Sequence, residues 1–443
     1  MKVLMFGWEF PPHITGGLGT ACFGLTKGLV KHDTDIIFVV PKAYGDENQE
    51  AVRIVNASDV TIDLEIDEER VYWDRVQYME VGSNIIPYVG PEAFNKVTEE
   101  EKRASENFKS KVFSQKYEFS GKYGLNLMEE VARYALVGSA IATKQDFDVI
   151  HAHDWLTYSA GVAAKETSGK PLVVHMHATE FDRSGENVNT DVYAIEKRGM
   201  EMADRVITVS NLTRKIVIER YGIDPSKVVT VHNAVEPKEK KLPKDVNKPM
   251  KEKVVTFLGR ITFQKGTEYF IEAARKILKR DPNVRFVMAG TGDLLHRMVM
   301  RAAQLRIGHK FHFTGFLKGD DVDNMFAMTD VFVMPSISEP FGIVPLEAMR
   351  SNVPVVISKQ SGVSEILKHA IKVDFWDIDG LADAIYGLCH YDALSKDFIK
   401  YGKQEVESLK WENAAGKVKE VYVSAYQSYL NQSTNSQKNT NNE

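Results

Sequence analysis

Short apolar runs alternate with amphipathic segments along most of the chain. The runs of the first half read KVLMFG, DIIFVV, FDVIHA, PLVVHM, DRVITVS and VVTVHN, and those of the second half read KVVTFLG, VRFVMAG, FHFTGF, VFVMPS and VPVVIS. Segments of helical period, such as LNLMEEVARYALVGSAIATK and TEYFIEAARKILKRD, lie between them. Buried parallel strands covered by helices produce this alternation. The pattern therefore predicts two doubly wound α/β domains.

Charged segments interrupt this rhythm and mark the predicted boundaries. Residues 236–253, EPKEKKLPKDVNKPMKEK, combine charge with proline, which predicts a linker between a first domain at 1–240 and a second domain at 250–412. Residues 95–121 form a charged insertion in the first domain, either a lid or acceptor-facing element or a solvated surface helix. The tail at 431–443 has no apolar residue and is predicted to be disordered.

Composition excludes several classes of protein. With 56 basic and 61 acidic residues the net charge is -5, so no global field favours nucleic acid or an anionic membrane. Cys22 and Cys389 lie far apart in predicted helices, where they read as apolar core residues rather than as a disulfide or a zinc site. No apolar stretch approaches the roughly 20 residues of a membrane span. The start, MKVLMFGWEF, is unlike a signal peptide, and we expect a cytoplasmic location.

A glycine-rich segment, HITGGLGTACFGLTKGL, follows the first apolar run after a gap that contains WEFPP. A dinucleotide fingerprint would place its glycines directly at the strand end, so the gap argues against a dehydrogenase. Gly16, Gly17 and Gly19 have no side chain to keep a phosphate or sugar away from the backbone, and a helix is predicted to open at about Thr20. A tight turn without a ligand is the alternative.

Two cations follow the first strand of the second half. In FLGRITFQKG, Arg260 and Lys265 lie five residues apart on a loop between a predicted strand and a helix. Ligands of doubly wound sheets bind at the carboxyl ends of the strands, so both side chains are predicted to converge on one anion there. They would stabilise negative charge on a leaving group. Solvated surface charge is the alternative.

Two glutamates follow a later strand in SEPFGIVPLEAM. Glu339 is predicted on the loop and Glu347 one turn into a helix that begins near Ile343, whose backbone amides suit an anion. The carboxylates are suited to accept hydrogen bonds from hydroxyls of a sugar or a ribose, and Gly342 permits close approach. The alternatives are a helix-capping Glu339 and a surface Glu347.

These motifs together resemble the retaining GT-B glycosyltransferases of the GT4 family over nearly the whole chain. The second half carries the cations of FLGRITFQKG, the two glutamates and FGIVPLEAM, and SGVSEIL at 361–367 is similar to the family's Gly-Gly-x-x-Glu segment, with Ser361 in place of the first glycine. In the first half, DVIHAHDW, VVHMHATE and HNAVE resemble glycogen and starch synthases. The resemblance implies two Rossmann-like domains facing a central cleft, with a helix at 413–430 crossing back to the first domain.

The resemblance also implies roles for individual residues. Arg260 and Lys265 would bind the diphosphate of a nucleotide-sugar donor and stabilise its departure. Glu347 would hold the ribose, and Glu339 would contact the transferred sugar. His177 matches the histidine that touches the donor sugar, although a buried structural histidine is the alternative and His175 could compete for the role.

The first half supplies the remaining residues that the resemblance implies. Asp154, Trp155 and Asn233 would line the sugar or acceptor side, and Gly17 would approach the phosphate or sugar. One position departs from the bacterial glycogen synthases, because Ile14 stands where they have a lysine two positions before the Gly-Gly pair. This departure argues against ADP-glucose and favours a UDP-sugar.

Retention of anomeric configuration is the predicted outcome of the reaction. Apart from Glu339, no carboxylate in these motifs stands out as a nucleophile for double displacement. We expect a same-face displacement in which the diphosphate leaves toward Arg260 and Lys265 and its own oxygen helps to deprotonate the acceptor. Neither a metal nor another cofactor is expected, because fixed cations do the charge work. Aspartates at 320–323 and 377–379 mimic a metal-binding D-x-D motif, but their position at predicted helix starts favours capping.

Three functions follow from the sequence. The first is a hexosyltransferase that moves glucose from UDP- or ADP-glucose to an α-glucan such as glycogen. The second acts on a lipid-linked or cell-surface glycan, although a strongly basic amphipathic helix for a membrane acceptor is lacking. The third is a noncatalytic sugar- or nucleotide-binding protein, against which the combination of cations, Glu339 and His177 argues. The nucleotide base, the acceptor and the oligomeric state stay open.

Overall fold

The structure is a computed structural model that describes residues 1–13, 16–49, 51–64, 113–124, 126–236 and 251–440. The chain folds into two compact units. The first comprises Met1–Thr208, Ile216–Val231 and Ala414–Glu443, and the second comprises Val209–Lys215 and His232–Asn413.

Parallel strands form the sheet of the first unit. In chain order its strands are β1 (Lys2–Phe6), β2 (Asp35–Val40), β3 (Arg53–Asn56), β4 (Ile62–Leu64), β5 (Phe113–Gln115), β6 (Val149–His153), β7 (Leu172–Met176), β8 (Arg205–Thr208) and β9 (Val228–Thr230). Seven of them pair in the order β3-β2-β1-β6-β7-β8-β9, and β4 and β5 form a separate antiparallel pair. The strands β6 and β7 are buried along their whole length, which is why their residues read as continuous apolar runs.

Helices connect these strands. They are α1 (Gly17–Val30), α2 (Leu127–Lys144), α3 (Trp155–Ser168), α4 (Glu180–Ser184), α5 (Thr190–Met202) and α6 (Asn211–Tyr221). Apolar side chains of the helices and strands form one core, in which Tyr134 on α2 donates its hydroxyl to the carbonyl of Val39 at 2.7 Å. This hydrogen bond satisfies the hydroxyl that Tyr134 brings into the core.

The second unit repeats the architecture with six strands. They are β10 (Lys253–Leu258), β11 (Val284–Ala289), β12 (Phe311–Gly315), β13 (Val331–Met334), β14 (Val355–Ser358) and β15 (Ile371–Val373). All pairings are parallel, in the order β12-β11-β10-β13-β14-β15. The helices are α7 (Thr267–Arg280), α8 (Leu295–Gln304), α9 (Asp320–Met328), α10 (Val344–Arg350), α11 (Ile378–His390) and α12 (Asp392–Ser408). The predicted pair of doubly wound domains is therefore confirmed.

Some boundaries differ from the predictions. Helix α1 begins at Gly17 rather than at about Thr20, because the carboxylate of Glu9 accepts a hydrogen bond from the Gly19 backbone at 3.2 Å and satisfies one free amide of its first turn. The last helix, α13 (Trp411–Thr440), continues ten residues beyond the predicted end at 430. The tail was predicted to be disordered from residue 431, and this is wrong for 431–440, which contain no glycine or proline to end a helix.

Two predicted segments lie largely outside the described residues. Of the charged insertion, only residues 113–121 belong to the described part, where Phe113–Gln115 form β5. Of the predicted linker, 237–250 fall outside it, and β10 begins at Lys253. The lid or acceptor-facing role of the insertion stays a prediction.

Gly266 is the residue on which the start of α7 depends. Its φ of +65° is a left-handed conformation, and a Cβ there would lie 1.9 Å from the carbonyl oxygen of Pro335. Backbone of the loops after β10 and β13 therefore approaches too closely for any side chain. The position of Lys265, the preceding residue, depends on this close approach.

We expect Gly266→Ala to lower the free energy of unfolding of the second unit by clearly more than about 1 kcal/mol, because strain in φ adds to a collision with backbone. Gly315→Ala is the matched control, since Gly315 has φ +74° and open space around it. That control should lose only about 1 kcal/mol. Urea unfolding of both variants measures the difference, and equal losses would contradict the close contact at Gly266.

Candidate functional site

The predicted anion site lies at the switch point of the second sheet. Its strand order reverses direction between β10 and β13, and ligands of doubly wound sheets bind where this reversal parts the loops at the carboxyl ends. The loop after β10 carries Arg260 and Lys265, and the loop after β13 carries Glu339 and Gly342. Lys265 and Glu339 are 74 residues apart in the sequence, and the tertiary structure brings their two motifs together.

Lys265 and Glu339 form a partly buried ion pair. The Lys265 Nζ lies 2.5 Å from the Glu339 Oε2, with side-chain exposures of 17% and 8%. Ser336 Oγ donates to the same carboxylate oxygen at 3.1 Å. Two opposite charges at this depth are held by each other, and a ligand that offers an anion to the lysine and hydroxyls to the glutamate can replace that contact.

Backbone geometry holds Glu339 in place. Its N–H donates to the Gln360 carbonyl at 3.0 Å, and its carbonyl accepts from Gly362 N–H at 2.8 Å. Gly342 has φ +99°, and a Cβ there would lie 3.2 Å from the Glu339 Cγ. A larger residue at 342 would strain the turn and press on the carboxylate.

The other predicted residues of the second unit differ in exposure. Arg260 is exposed, and among the described residues its guanidinium has no hydrogen bond or ion pair, so it is free to meet an anion. Helix α10 begins at Val344 after Ile343, which confirms the predicted helix start, and half-buried Glu347 lies in its first turn. Asn233 is buried and belongs to the second unit.

The segment that resembles Gly-Gly-x-x-Glu anchors a helix. Both carboxylate oxygens of Glu365 accept from the first amides of α6, from Asn211 at 2.9 Å and from Leu212 at 2.7 Å. His232 Nε2 lies 2.7 Å from the same carboxylate. Ser361, which replaces the first glycine, is buried and donates its hydroxyl to a backbone carbonyl. The serine therefore fits this segment without loss of hydrogen bonding.

Asp154 and His177 lie together in the first unit, at the carboxyl ends of β6 and β7. Asp154 has φ +62°, and its Oδ1 accepts the backbone N–H of His177 at 2.8 Å. Burial raises the pKa of Asp154 to about 6, against the opposing positive charge of Arg183. Burial lowers the pKa of His177 to about 3, so its imidazole is neutral at physiological pH and can donate or accept one hydrogen bond. The unusual φ of Asp154 marks a conformation that the site maintains.

A buried charged network follows His177 and was not predicted from the sequence. Arg183 donates to Glu180 at 2.9 Å and also pairs with Glu196, which is fully buried and accepts from the Tyr221 hydroxyl. Burial raises the pKa of Glu196 to about 7, although the guanidinium of Arg183 works in the opposite direction. The capping box between Thr179 and an aspartate three residues later was the signal in the sequence that a helix begins here.

Four histidines lie next to one another in the same unit. They are His151 and His153 on β6, His175 on β7 and His177 directly after β7, and we call them the histidine cluster. His153 Nδ1 lies 2.9 Å from His177 Nε2. Sequence reasoning singled out His175 and His177 only. The H-x-H spacing in β6 and at the end of β7 was the available signal, because alternate residues of an extended chain share a face.

For three predicted residues of the first unit, the contacts among the described residues do not indicate a ligand-binding role. Gly16 and Gly17 are exposed, and a Cβ at either would meet nothing within 4 Å, so crowding by the protein does not explain these glycines. Trp155 is 5% exposed and packs in the hydrophobic core, which favours a structural role over the predicted ligand-lining one.

The aspartate pairs that mimic a metal motif lie at helix starts. Asp377 precedes α11 and accepts from the Gly380 N–H at 2.8 Å, which confirms the predicted capping role. For the aspartates at 320–323 the predicted capping role is wrong, because the N-cap position of α9 is Gly319. Asp320, Asp321 and Asp323 instead occupy the first turn, where negative charge is favourable. Among the described residues, no helix is both long and apolar enough to span a membrane.

Acidification is expected to destabilise the first unit through the histidine cluster. Burial holds the pKa of His177 at about 3 and lowers the pKa of the other three histidines of the cluster well below the usual range. Histidines of the unfolded chain titrate near 6.5. The unfolded state therefore binds more protons as the pH falls from 7 to 5. Each histidine lowers the free energy of unfolding by at most about 1.4 kcal/mol per pH unit.

Two carboxyls act in the opposite direction, because the raised pKa of Asp154 and of Glu196 lets the folded state take up protons in the same range. A His177→Asn variant isolates the histidine contribution. Urea unfolding at pH 7, 6 and 5 should show a shallower fall for this variant than for the wild type. Identical slopes would contradict the neutral state of His177.

Comparison with known proteins agrees with this geometry. The chain matches the family Glycosyltransferase Family 4 over residues 116–239 and the family Glycosyl transferases group 1 over residues 238–405. It is 30% identical to an uncharacterized glycosyltransferase of Methanocaldococcus jannaschii, an alignment that covers 95% of this chain and 98% of the relative. It is 23% identical to glycogen synthase of Mycobacterium tuberculosis, over 96% of this chain and 95% of the relative.

Solved structures show the same fold. Sucrose-phosphate synthase from Thermosynechococcus elongatus superposes with a TM-score of 0.71 at 18% identity, over 96% of this chain and 99% of that chain. HepE from Anabaena, in complex with UDP and glucose, gives a TM-score of 0.65 at 17% identity, over 96% of this chain and 100% of that chain. These matches confirm the resemblance drawn from the sequence. The chain belongs to the family 4 glycosyltransferases with the GT-B fold.

Proposed function

We propose that this glycosyltransferase moves glucose from a nucleoside diphosphate glucose to an α-glucan such as glycogen, with retention of configuration. The ion pair between Lys265 and Glu339 at the switch point of the second sheet is the observation that carries the proposal. In this proposal the lysine is the cation that binds a diphosphate, and the adjacent carboxylate accepts hydrogen bonds from sugar hydroxyls. Similarity to a glycogen synthase over 96% of the chain supports the choice of acceptor.

The donor would be held by charge on one side and by hydroxyl contacts on the other. Lys265 and the exposed guanidinium of Arg260 bind the diphosphate, and Arg260 is able to grip two of its oxygens at once. Glu339 exchanges Lys265 for hydroxyls of the transferred sugar, and Glu347 accepts from the ribose. Helix α7 begins at Thr267 without a side-chain cap, so its N-terminal amides add to the positive potential.

The reaction would proceed on one face of the sugar. The bond between the anomeric carbon and the diphosphate oxygen breaks, and Lys265 and Arg260 stabilise the charge that this oxygen gains. The acceptor hydroxyl then attacks the oxocarbenium-like carbon from the same side. Its proton passes to the departing diphosphate. His177, neutral because burial holds its pKa near 3, contacts a hydroxyl of the transferred sugar in this proposal.

UDP-glucose is the proposed donor. HepE, which has the same fold, was crystallised with UDP and glucose, and this supports a uridine nucleotide. The absence of a lysine at Ile14 points the same way, because the bacterial glycogen synthases that resemble this chain carry one there. The fixed cations of the second unit take the role that a divalent ion has in other transferases.

Nucleotide release identifies donor and acceptor in one experiment. The purified protein is incubated with UDP-glucose, ADP-glucose, GDP-mannose or UDP-N-acetylglucosamine, each with and without glycogen. We expect release of UDP from UDP-glucose that depends on glycogen, and an α-linked product by NMR. Nucleotide release that does not depend on glycogen would favour a lipid-linked or cell-surface glycan as the acceptor. Binding of a nucleotide sugar without any turnover would favour a noncatalytic protein.

Lys265→Ala is expected to reduce kcat by about 10²- to 10³-fold, because the leaving diphosphate loses a fixed positive charge. Lys276→Ala is the matched control, since Lys276 also pairs with a carboxylate of the second unit, Asp379, but on the surface. The control should retain full activity. Thermal unfolding shows whether both variants fold, and a folded Lys265→Ala enzyme with normal kcat would contradict the proposed role.

A further inference from the structure

The histidine cluster contains a group of buried nitrogens that the transfer reaction does not use. His151 and His153 are alternate residues of β6 and share one face of the strand. The register of the sheet sets His153 opposite His175 on β7. The side chains are almost completely inaccessible, with exposures of 0%, 0% and 2%.

Unpaired ring nitrogens make this group unusual. Among the described residues, the Nε2 atoms of His151 and His153 and both ring nitrogens of His175 have no hydrogen-bond partner. A buried polar atom left without a partner destabilises the fold, because it has lost its hydrogen bonds to water. Four such atoms in one place therefore indicate that something other than the protein satisfies them.

We propose that His151, His153 and His175 bind a transition-metal ion, for which Zn²⁺ is the probe, inside the first unit. One ring nitrogen of each residue lies within 4.8 Å of the corresponding atoms of the other two. Ligands 2.0–2.1 Å from tetrahedral zinc are roughly 3.4 Å apart, so small side-chain rotations complete the site. Imidazole is a preferred ligand for zinc and its neighbours in the first transition series.

Hydrogen bonds from the opposite side of two rings support this assignment. His151 Nδ1 lies 2.6 Å from the Tyr422 hydroxyl, and His153 Nδ1 lies 2.9 Å from His177 Nε2. When each Nδ1 carries the proton and donates it, each Nε2 presents a lone pair to the metal. Such partners of ligating histidines orient the ring and select its tautomer.

The protonation state of the three rings is also the one that ligation needs. Burial lowers the pKa of His151, His153 and His175 well below the usual range, with their neighbouring histidines adding to the effect. A neutral imidazole already has a lone pair on one ring nitrogen, so it loses no proton when a metal binds. His151, His153 and His175 belong to the first unit, whereas Arg260 and Lys265 belong to the second, and zinc binding does not require a particular donor or acceptor.

Metal binding to the full-length protein tests the proposal. After treatment with a chelator and passage over a desalting column, the wild type is titrated with Zn²⁺ and analysed for metal by mass spectrometry. We expect one zinc ion per chain and a higher Tm with Zn²⁺ but not with Mg²⁺. A folded wild type that retains no zinc would overturn the assignment and leave buried water as the partner of the nitrogens.

Tyr422→Phe gives a mild variant, because it removes only the hydroxyl that orients His151. It should weaken zinc binding by about 10- to 100-fold. Tyr158→Phe is the matched control, since Tyr158 is equally buried in the same unit. Among the described residues, its hydroxyl makes a hydrogen-bond contact only with the Met176 sulfur, at 3.9 Å. This control should bind zinc like the wild type, and equal affinities of both variants would overturn the role of Tyr422 and the three-histidine geometry.

Cobalt substitution distinguishes the proposed ligands from a competing set. Cys22, His153 and His177 also have potential ligand atoms within 4.8 Å of one another. A Co²⁺ spectrum without a thiolate charge-transfer band, and unchanged in Cys22→Ser, supports the three-histidine site. A thiolate band that disappears in Cys22→Ser would overturn it in favour of the cysteine-containing set.

Discussion

Two parallel sheets, each covered by helices, impose the constraint on which the chemistry of this protein depends. Parallel strands buried on both faces leave little room for unpaired polar groups along their length. Polar side chains are therefore concentrated at the carboxyl ends, where the loops leave the sheet. Lys265 and Glu339 lie there in the second unit, and Asp154 and His177 lie there in the first. The histidines inside β6 and β7 are among the buried polar residues that lie within strands, and their unpaired nitrogens set them apart.

The buried carboxylates Glu339 and Glu196 are each paired with a cation. Glu339 is balanced by Lys265, and Glu196 by Arg183, so neither buried carboxylate is left without a cation. Arg260 is left exposed at the end of β10. The network around Arg183 is buried within the first unit, whereas Lys265 and Glu339 lie on loops that follow β10 and β13. In the proposed function, the pair with Glu339 orients Lys265 before a donor binds.

Much of the candidate site could be predicted from the sequence because its motifs lie next to strand ends that the apolar runs reveal. Lys265 and Glu339 were both identified in this way. Their direct contact could not be predicted, since it depends on β10 lying next to β13 in the sheet. The resemblance implied that Trp155 lines the sugar or acceptor side, and the structure shows that it packs in the hydrophobic core at the start of α3. The sequence pattern could not show which face of that helix meets the sheet.

The alternation of apolar runs and helical segments by itself determined the two α/β units, because each element must bury its apolar face against the other kind. Local chemistry likewise predicted the helix start near Val344, whereas α1 begins at Gly17, before the predicted start at about Thr20. Only the tertiary structure decided the contacts between distant segments. The register of β6 and β7 sets His153 opposite His175, and α13 brings Tyr422 to His151 across 271 residues. Such contacts depend on the packing of whole elements, which no local propensity encodes.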